Sequence, residues 1–540
     1  MTTSIDPTIP HRNAVVLRYV LERWELERPD QVFAMFSDGG AWTFRELTDR
    51  VRRMATGLAQ LGVKRGDRVM CWLPNGRELL AAWFGANWLG ATYTPINLAY
   101  RGTILRHVIE VARPTVILCH SSLYERLQEV GLDPTISVIL ADTDDAPSGR
   151  SGRPLGMSAL NVEIDPAALV LEEPIEPWDE QAILYTSGTT GLSKGVLSSY
   201  CHASTAALVA FEDVDAEDLR YLVTLPMFHA GGTIGTLGAL LLGRSVVITE
   251  RFETATFWDL VRRSQATCCT LLGAMATFLL KQPRTPEDRI HSLAWAYVLP
   301  HAEAARDFAY RFGIATRTMF NMTEISVPLL SELNPKDAAS CGRARPGVAL
   351  CIADAQDQPV QDGTVGELLI RPERPWSMSH GYAGDAEATA ALWRNGWFHT
   401  GDLFYRSKNG EYYFVDRAKD AIRRRGENIS SYEVEQECLS FPQIREVAAF
   451  GVPSEYGEDE VMVAVATVES APLDHAVLIE HLRRRMPYYM VPRFIRVLPE
   501  LPKTPTAKII KADLRSAGTT PDTWDRETAG IIIKSDRLTS

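Results

Sequence analysis

AILYTSGTTGLSKGV, residues Ala182–Val196, opens as a run of apolar side chains and ends in a loop of glycines, hydroxyls and one lysine. Glycine lets backbone N–H groups approach phosphate oxygens, Ser and Thr hydroxyls add donors, and Lys194 offsets anionic charge. A polar surface turn has a similar composition. The buried strand placed directly before the loop is what favours phosphate. The segment is not a Walker A loop, because Ser193 stands where that pattern needs glycine and Gly195 where it needs Ser or Thr.

Working outward, short apolar runs alternate with helix-like segments through the first 400 or so residues. Val116–Cys119, Val138–Ala141, Ala182–Tyr185 and Ser245–Thr249 read as strands, and Thr43–Leu61 and Thr256–Ser264 have helical spacing. Such alternation predicts α/β layers with largely parallel strands. Near residue 400 the pattern changes. Trp397–Tyr405 and Glu411–Val415 flank Ser407-Lys408-Asn409-Gly410, a hairpin signal because Asn and Gly tolerate positive φ. Beyond Lys419 come strands (Val447–Val452, Glu460–Val468) mixed with helices (Ser431–Leu439, Asp474–Arg485). The expected fold class is therefore α/β: a large N-terminal domain of layered α/β subdomains, residues 1–419, and a small α+β C-terminal lid, residues 420–540. Residues after about 518 show little pattern and are expected to be loosely held. Asp142–Arg153 reads as a surface loop.

Bulk properties narrow the field. The chain has 540 residues, 46% hydrophobic and 23% charged, with a formal net charge of −12. That acidity argues against nucleic acid as a partner and against general adhesion to anionic membrane. Leu79–Ile96 and Ala230–Ile248 are apolar, but Asn87 and several glycines interrupt them, so buried helix or strand is expected rather than integral membrane association. Eight cysteines without a CxxC pair suggest neither zinc nor a disulfide framework, and a cytoplasmic location is the default.

Further motifs follow in order: PMFHAGG (Pro226–Gly232), FNMTE (Phe320–Glu324), GELLIR (Gly366–Arg371), GWFHTGDL (Gly396–Leu403), VDRAKDAIRRRGENISSYEVE (Val415–Glu435) and LPKTPTAKI (Leu501–Ile509). With the glycine loop, they make residues 20–515 resemble the adenylate-forming superfamily, in its acyl-CoA ligase branch. The resemblance implies an enzyme that joins a carboxylic acid to AMP from ATP with Mg²⁺, then hands the acyl group to coenzyme A. It assigns Thr186, Ser187, Gly188, Thr189, Thr190, Gly191 and Lys194 to the phosphates. Asp402 goes to the ribose hydroxyls, Arg417 to ribose or phosphate, and Asn321 to the nucleotide site. Thr323 contacts the α-phosphate and Glu324 holds the metal, although a lone Thr-Glu also fits a helix start. His229 lines the acyl site, with a structural histidine as the alternative. Lys508, on a proline-stiffened arm, bridges carboxylate and α-phosphate. Lys419 and Asp420 match the hinge about which the small domain rotates, presenting either Lys508 or the Gly426 face. Arg423, Arg424 and Arg425 form a basic patch suited to CoA phosphates, or a solvated charge run.

Trp295, Tyr297, Val298, Phe320, Met322 and Ser326 are candidate pocket residues by their position beside the motifs, and their bulk implies an acid with a hydrophobic body. Some positions depart from the family pattern: Ser193 stands for proline, Asn321 for glycine, Ala507 for glycine, and Val298–His301 for a Gly-Gly-Ala-Pro type loop. They raise an alternative in which adenylation is weak and a pre-formed acyl-adenylate is thioesterified. A carrier protein is an alternative acceptor, and a homodimer is allowed without being required.

Overall fold

The computed structural model describes residues 8–144, 154–186, 193–214, 217–299, 301, 303–417, 421–424, 427–454, 457–468, 472–502, 509 and 511–533. Among these, two seven-stranded sheets share one plan. The first runs Leu155–Gly156, Ser137–Leu140, Val116–Cys119, Arg68–Trp72, Thr92–Pro95, Glu180–Thr186, Lys194–Ser199 across its width. The second runs Ala315–Arg317, Trp295–Leu299, Cys268–Leu272, Arg220–Val223, Ser245–Ile248, Val32–Phe36, Ala41–Thr43. Neighbours are parallel except at one edge of each sheet, where Lys194–Ser199 and Ala41–Thr43 turn back antiparallel. Parallel strands covered on both faces read as unbroken apolar runs. That is why Val116–Cys119 and Ser245–Ile248 were visible in the sequence, and every position in them is buried.

The helix Phe44–Gln60 begins with a capping box. The Thr43 hydroxyl accepts from the Glu46 N–H, and the Glu46 carboxylate accepts from the Thr43 N–H. It packs on the helix Arg77–Trp88, whose Trp83, Phe84 and Trp88 sit in a core continuous with both large sheets. The two apolar stretches resolve into this helix with Thr92–Pro95, and into the helix Ala230–Leu241 with Ser245–Ile248. No helix among the described residues is long and apolar enough to cross a membrane.

A third sheet contains Val348–Ala353, Gly366–Pro372, Trp397–Arg406 and Tyr412–Arg417. The last two form the expected hairpin, although within its turn only Gly410, at φ 82°, takes the left-handed backbone. The C-terminal region contributes the hairpin Ala421–Arg424/Glu427–Ser430, the helix Ser431–Leu439 and a sheet ordered Ile444–Pro453, Asp459–Thr467, Phe494–Val497, Trp524–Asp525. The expectation of a loose tail is corrected here. Trp524–Asp525 pairs with Phe494–Val497, Asp525 bonds Arg493, and Trp524, Ile531 and Ile533 pack on the same core as Ile479 and Met486. Residues 145–153 of the expected surface loop lie outside the described residues.

Candidate active site

The strand after the glycine loop organises the site. Thr186 and Lys194 face each other across the antiparallel pair that the loop closes. Ser187–Gly191, with Lys419, Asp420, Gly426 and Lys508, lies outside the described residues. Residues 380–383 run beside Lys194–Ser199, bonded through Leu197 N–H to Gly381 O (2.9 Å), His380 N–H to Leu197 O (2.9 Å) and Ala383 N–H to Gly195 O (2.8 Å). That pairing delivers Tyr382. The Lys194 ammonium lies 4.7 Å from its ring centre, and its hydroxyl donates to Glu324 Oε1 at 2.8 Å. Burial and the Glu324 charge push the Tyr382 phenol far above its ordinary value, so it stays a donor.

Glu324 is buried, and its second carboxylate oxygen accepts no hydrogen bond from a described residue. Its loop is held from the helix Tyr200–Ala210 as well. His202 Nε2 meets Ile325 O at 2.9 Å, and Ser198 bonds its Nδ1. Burial lowers the His202 pKa to about 4, so the ring is neutral and Nε2–H donates to the carbonyl. Thr323 lies in the same turn, half-buried. Asn321 points its Oδ1 at the Val327 N–H, 2.7 Å away, within the same loop. Asp402 is buried on Trp397–Arg406 and pairs in register with Arg417, whose side chain is outside the described set.

His229 stands at the N-cap position of the helix Ala230–Leu241, with its side chain making no capping bond to the helix. The segment before it is fixed by Asn75, which takes the Met227 N–H and donates to Leu225 O, and by Tyr93, whose hydroxyl donates to Met227 O. Gly232 is required: a side chain there would overlap the Pro226 carbonyl. His229 Nε2 lies 2.9 Å from Glu427 Oε2, across from the C-terminal region. Asn97 bonds Glu427 and the Tyr489 hydroxyl. The same docking places the helix Ser431–Leu439 on the glycine-loop strand. Ser193 donates to Glu433 Oε1 from its N–H (2.7 Å) and hydroxyl (3.0 Å), and Thr103 bonds Glu437. Beside it a cleft of about 990 Å³ opens between the helices Gly102–Ala112 and His475–Arg483, lined by Arg106, Glu129, Phe441, Glu480, His481 and Arg484 among others.

Two expectations change. The triple-arginine patch is split: Arg423 is exposed, Arg424 is buried with Glu460 at 2.7 Å, and Arg425 lies outside the described residues. The pocket candidates are split too. Trp295 and Tyr297 share one face of their strand and pack with Phe211, whereas Val298 points into the core on the opposite face with Phe308 and Phe312. Alternation along a strand dictates this. Phe320 and Met322 are partly buried beside Phe404 and Leu350, and Ser326 is buried against Arg345. Of the residues that sequence reasoning missed, Tyr382, Asn75 and Arg345 lie in unremarkable contexts, while Glu427 and Glu433 sit inside a quoted motif without a role attached.

The sequence profile of the AMP-binding enzyme family matches residues 21–383, and that of the AMP-binding enzyme C-terminal domain matches residues 433–508. A crotonobetaine/carnitine–CoA ligase of Salmonella heidelberg (strain SL476) is 28% identical over 487 residues, which are 88% of this chain and 93% of that protein. The amide bond synthetase McbA from Marinactinospora thermotolerans overlays with a TM-score of 0.79 at 23% identity, over 93% of this chain and 99% of that one. A double mutant of o-succinylbenzoate CoA synthetase from Bacillus subtilis, bound with its product analogue OSB-NCoA, gives 0.78 at 23% identity, over 92% and 98%. The same synthetase with its acyl-adenylate intermediate gives 0.64 at 22% identity, over 92% and 97%. Matched along both of its parts, the chain belongs to the AMP-binding enzyme family.

Proposed function

We propose that the protein activates a carboxylic acid with a hydrophobic body and transfers the acyl group to coenzyme A. In the first step a carboxylate oxygen bonds to the α-phosphorus of ATP, and the bond to the bridging oxygen breaks to release pyrophosphate. In the second the thiol sulfur bonds to the acyl carbon, its proton passes to a base, and AMP leaves with the carboxyl oxygen. Both steps are governed by positioning and charge stabilisation.

The observation that carries this reading is the docking of Glu427 onto His229 at 2.9 Å. It sets the strand Glu427–Ser430 against the head of the helix Ala230–Leu241, the side from which a thiol would arrive. The better overlay on the Bacillus synthetase in its product-analogue complex than in its acyl-adenylate complex supports the same arrangement. An imidazole held by a carboxylate through Nε2 keeps Nδ1 to accept the thiol proton. Arg106, exposed in the adjoining cleft, offers a cation to the phosphates of coenzyme A.

Magnesium fits the donor set. Glu324 presents one carboxylate oxygen free of described donors while Tyr382 orients the other, and Mg²⁺ is commonly held by one carboxylate together with substrate phosphates. When bound, the ion neutralises phosphate charge. The atypical Ser193 and Asn321 both direct their side chains to protein partners, Glu433 and Val327, so neither by itself argues for a lost adenylation step. Trp295, Tyr297, Phe320 and Met322 support an apolar acyl body.

The test is a panel of carboxylic acids with ATP, Mg²⁺ and CoA, or a holo-carrier protein in a parallel arm, read by mass for acyl-AMP and thioester. At least one acid is expected to give both acyl-AMP and acyl-CoA. ATP left intact across the whole panel would overturn the proposal, and thioester on the carrier alone would reassign the acceptor.

A further inference from the structure

We propose that Asn321 and Arg345 are positioning residues for acid selection: they clamp the peptide units of Ser326–Pro328 and hold Val327 in a left-handed backbone, fixing one wall of the acyl site. The inference rests on the ligase reading above.

The loop Asn321–Pro328 joins two short antiparallel strands, Met319–Phe320 and Leu329–Leu330. Thr323 and Glu324 lie near its head, and Met322 and Ser326, both candidate acyl contacts, flank them. Val327 is fully buried at φ 46°, an outlier for a β-branched residue. Such a conformation persists only where the surroundings over-determine it, and here they do. The Val327 N–H donates to Asn321 Oδ1 at 2.7 Å. Its carbonyl accepts from Arg345 Nε at 3.0 Å, which is shared with the Ser326 carbonyl at 3.1 Å. Arg345 Nη2 donates to the Ser326 hydroxyl at 3.1 Å, and the Arg345 backbone N–H donates to Pro328 O at 3.1 Å.

Arg345 is a costly brace. Its guanidinium is buried and makes no ion pair with a described residue; only a hydroxyl and carbonyls, including Pro346 O at 2.8 Å, receive its donors. Burial, with Arg374 nearby, draws its pKa down to about 10, which leaves it charged at neutral pH. Asn321, where the family resemblance leads one to expect glycine, supplies the acceptor that glycine lacks. Glu324 is held separately, by Ser379 N–H on its carbonyl and Tyr382 on its carboxylate. Loosening the clamp therefore moves the Ser326–Pro328 wall while the metal-side carboxylate stays in place.

The experiment measures pyrophosphate exchange with straight-chain acids from butyrate to dodecanoate and with benzoate. In Asn321→Gly the spread of kcat/KM across these acids is expected to narrow about tenfold, the scale of one net hydrogen bond. Asn321→Asp, which can still accept the Val327 N–H, is expected to restore the spread. An unchanged spread in Asn321→Gly, or a rise in the KM for ATP matching that for acid, would overturn the clamp. A readout independent of turnover is the melting of Asn321→Gly, Arg345→Met and the double variant. Two residues holding one peptide unit should give less than additive losses, and additivity would count against the proposal. If the wild type forms no acyl-AMP with any of these acids, the ligase reading fails and the melting cycle still decides the clamp.

Discussion

At the scale of single residues, the side chains that shape the site act in pairs drawn from distant sequence. Tyr382 serves Glu324, Asn75 serves the segment before His229, and Glu427 serves His229. The last pair makes a sharp prediction. Glu427→Gln removes the carboxylate that sets the His229 tautomer, so thioester formation from a supplied acyl-adenylate should fall about a hundredfold, the range of a positioned base. Pyrophosphate exchange should stay within about twofold. Equal losses in both half-reactions would place Glu427 in adenylation instead. His229 and Glu324 were legible in the sequence because they stand in ordered motifs. Tyr382 was not, since a tyrosine in HGYAGD looks like any other until the backbone pairing of 380–383 carries it beside Lys194.

At the scale of elements, the helix Ser431–Leu439 is what docks the C-terminal region. Its Glu433 is fully enclosed, facing Ser193 on the glycine-loop strand, with Tyr100, Tyr489 and Glu437 as the ionisable groups around it and His107 bonded to the Ser193 carbonyl. Burial raises the Glu433 carboxyl from 4.5 to about 7, while the two Ser193 hydrogen bonds pull the other way. A raised pKa means that docking takes up a proton. The contribution is therefore fully present below about pH 4.5 and is lost as the pH rises through about 7. Energy transfer between labels on the two parts should show docking weakening across that window, and Glu433→Gln should flatten the dependence. A slope that survives in Glu433→Gln would assign it to another group. The helix itself was readable from its spacing, but its partner was not, because nothing local links residue 433 to residue 193.

At the scale of the whole molecule, the C-terminal sheet is closed by the last described segment. Truncation after Gly518 strips Trp524–Asp525 from the edge strand Phe494–Val497 and takes Asp525 from Arg493. We expect the melting temperature of the C-terminal part to fall by more than about 5 °C, the shift that about 1 kcal/mol produces in a domain near 100 residues. An unchanged melting curve would show the tail to be dispensable. A two-residue strand is too short to leave a periodic trace, which is why this tail read as patternless. By contrast, the parallel layers, the capped helix Phe44–Gln60 and the Trp397–Arg406 hairpin were written locally, in apolar runs, a capping box and a turn glycine. The sequence by itself determined the fold class and the family, because local patterning and ordered motifs need no neighbour to be read. Only the tertiary structure decided that Val298 faces away from Trp295 and Tyr297, that Arg424 is spent on Glu460, and that Asn321 and Ser193 serve Val327 and Glu433. Each of those outcomes depends on which distant side chain arrives at hydrogen-bonding distance, and only packing of the folded chain fixes that.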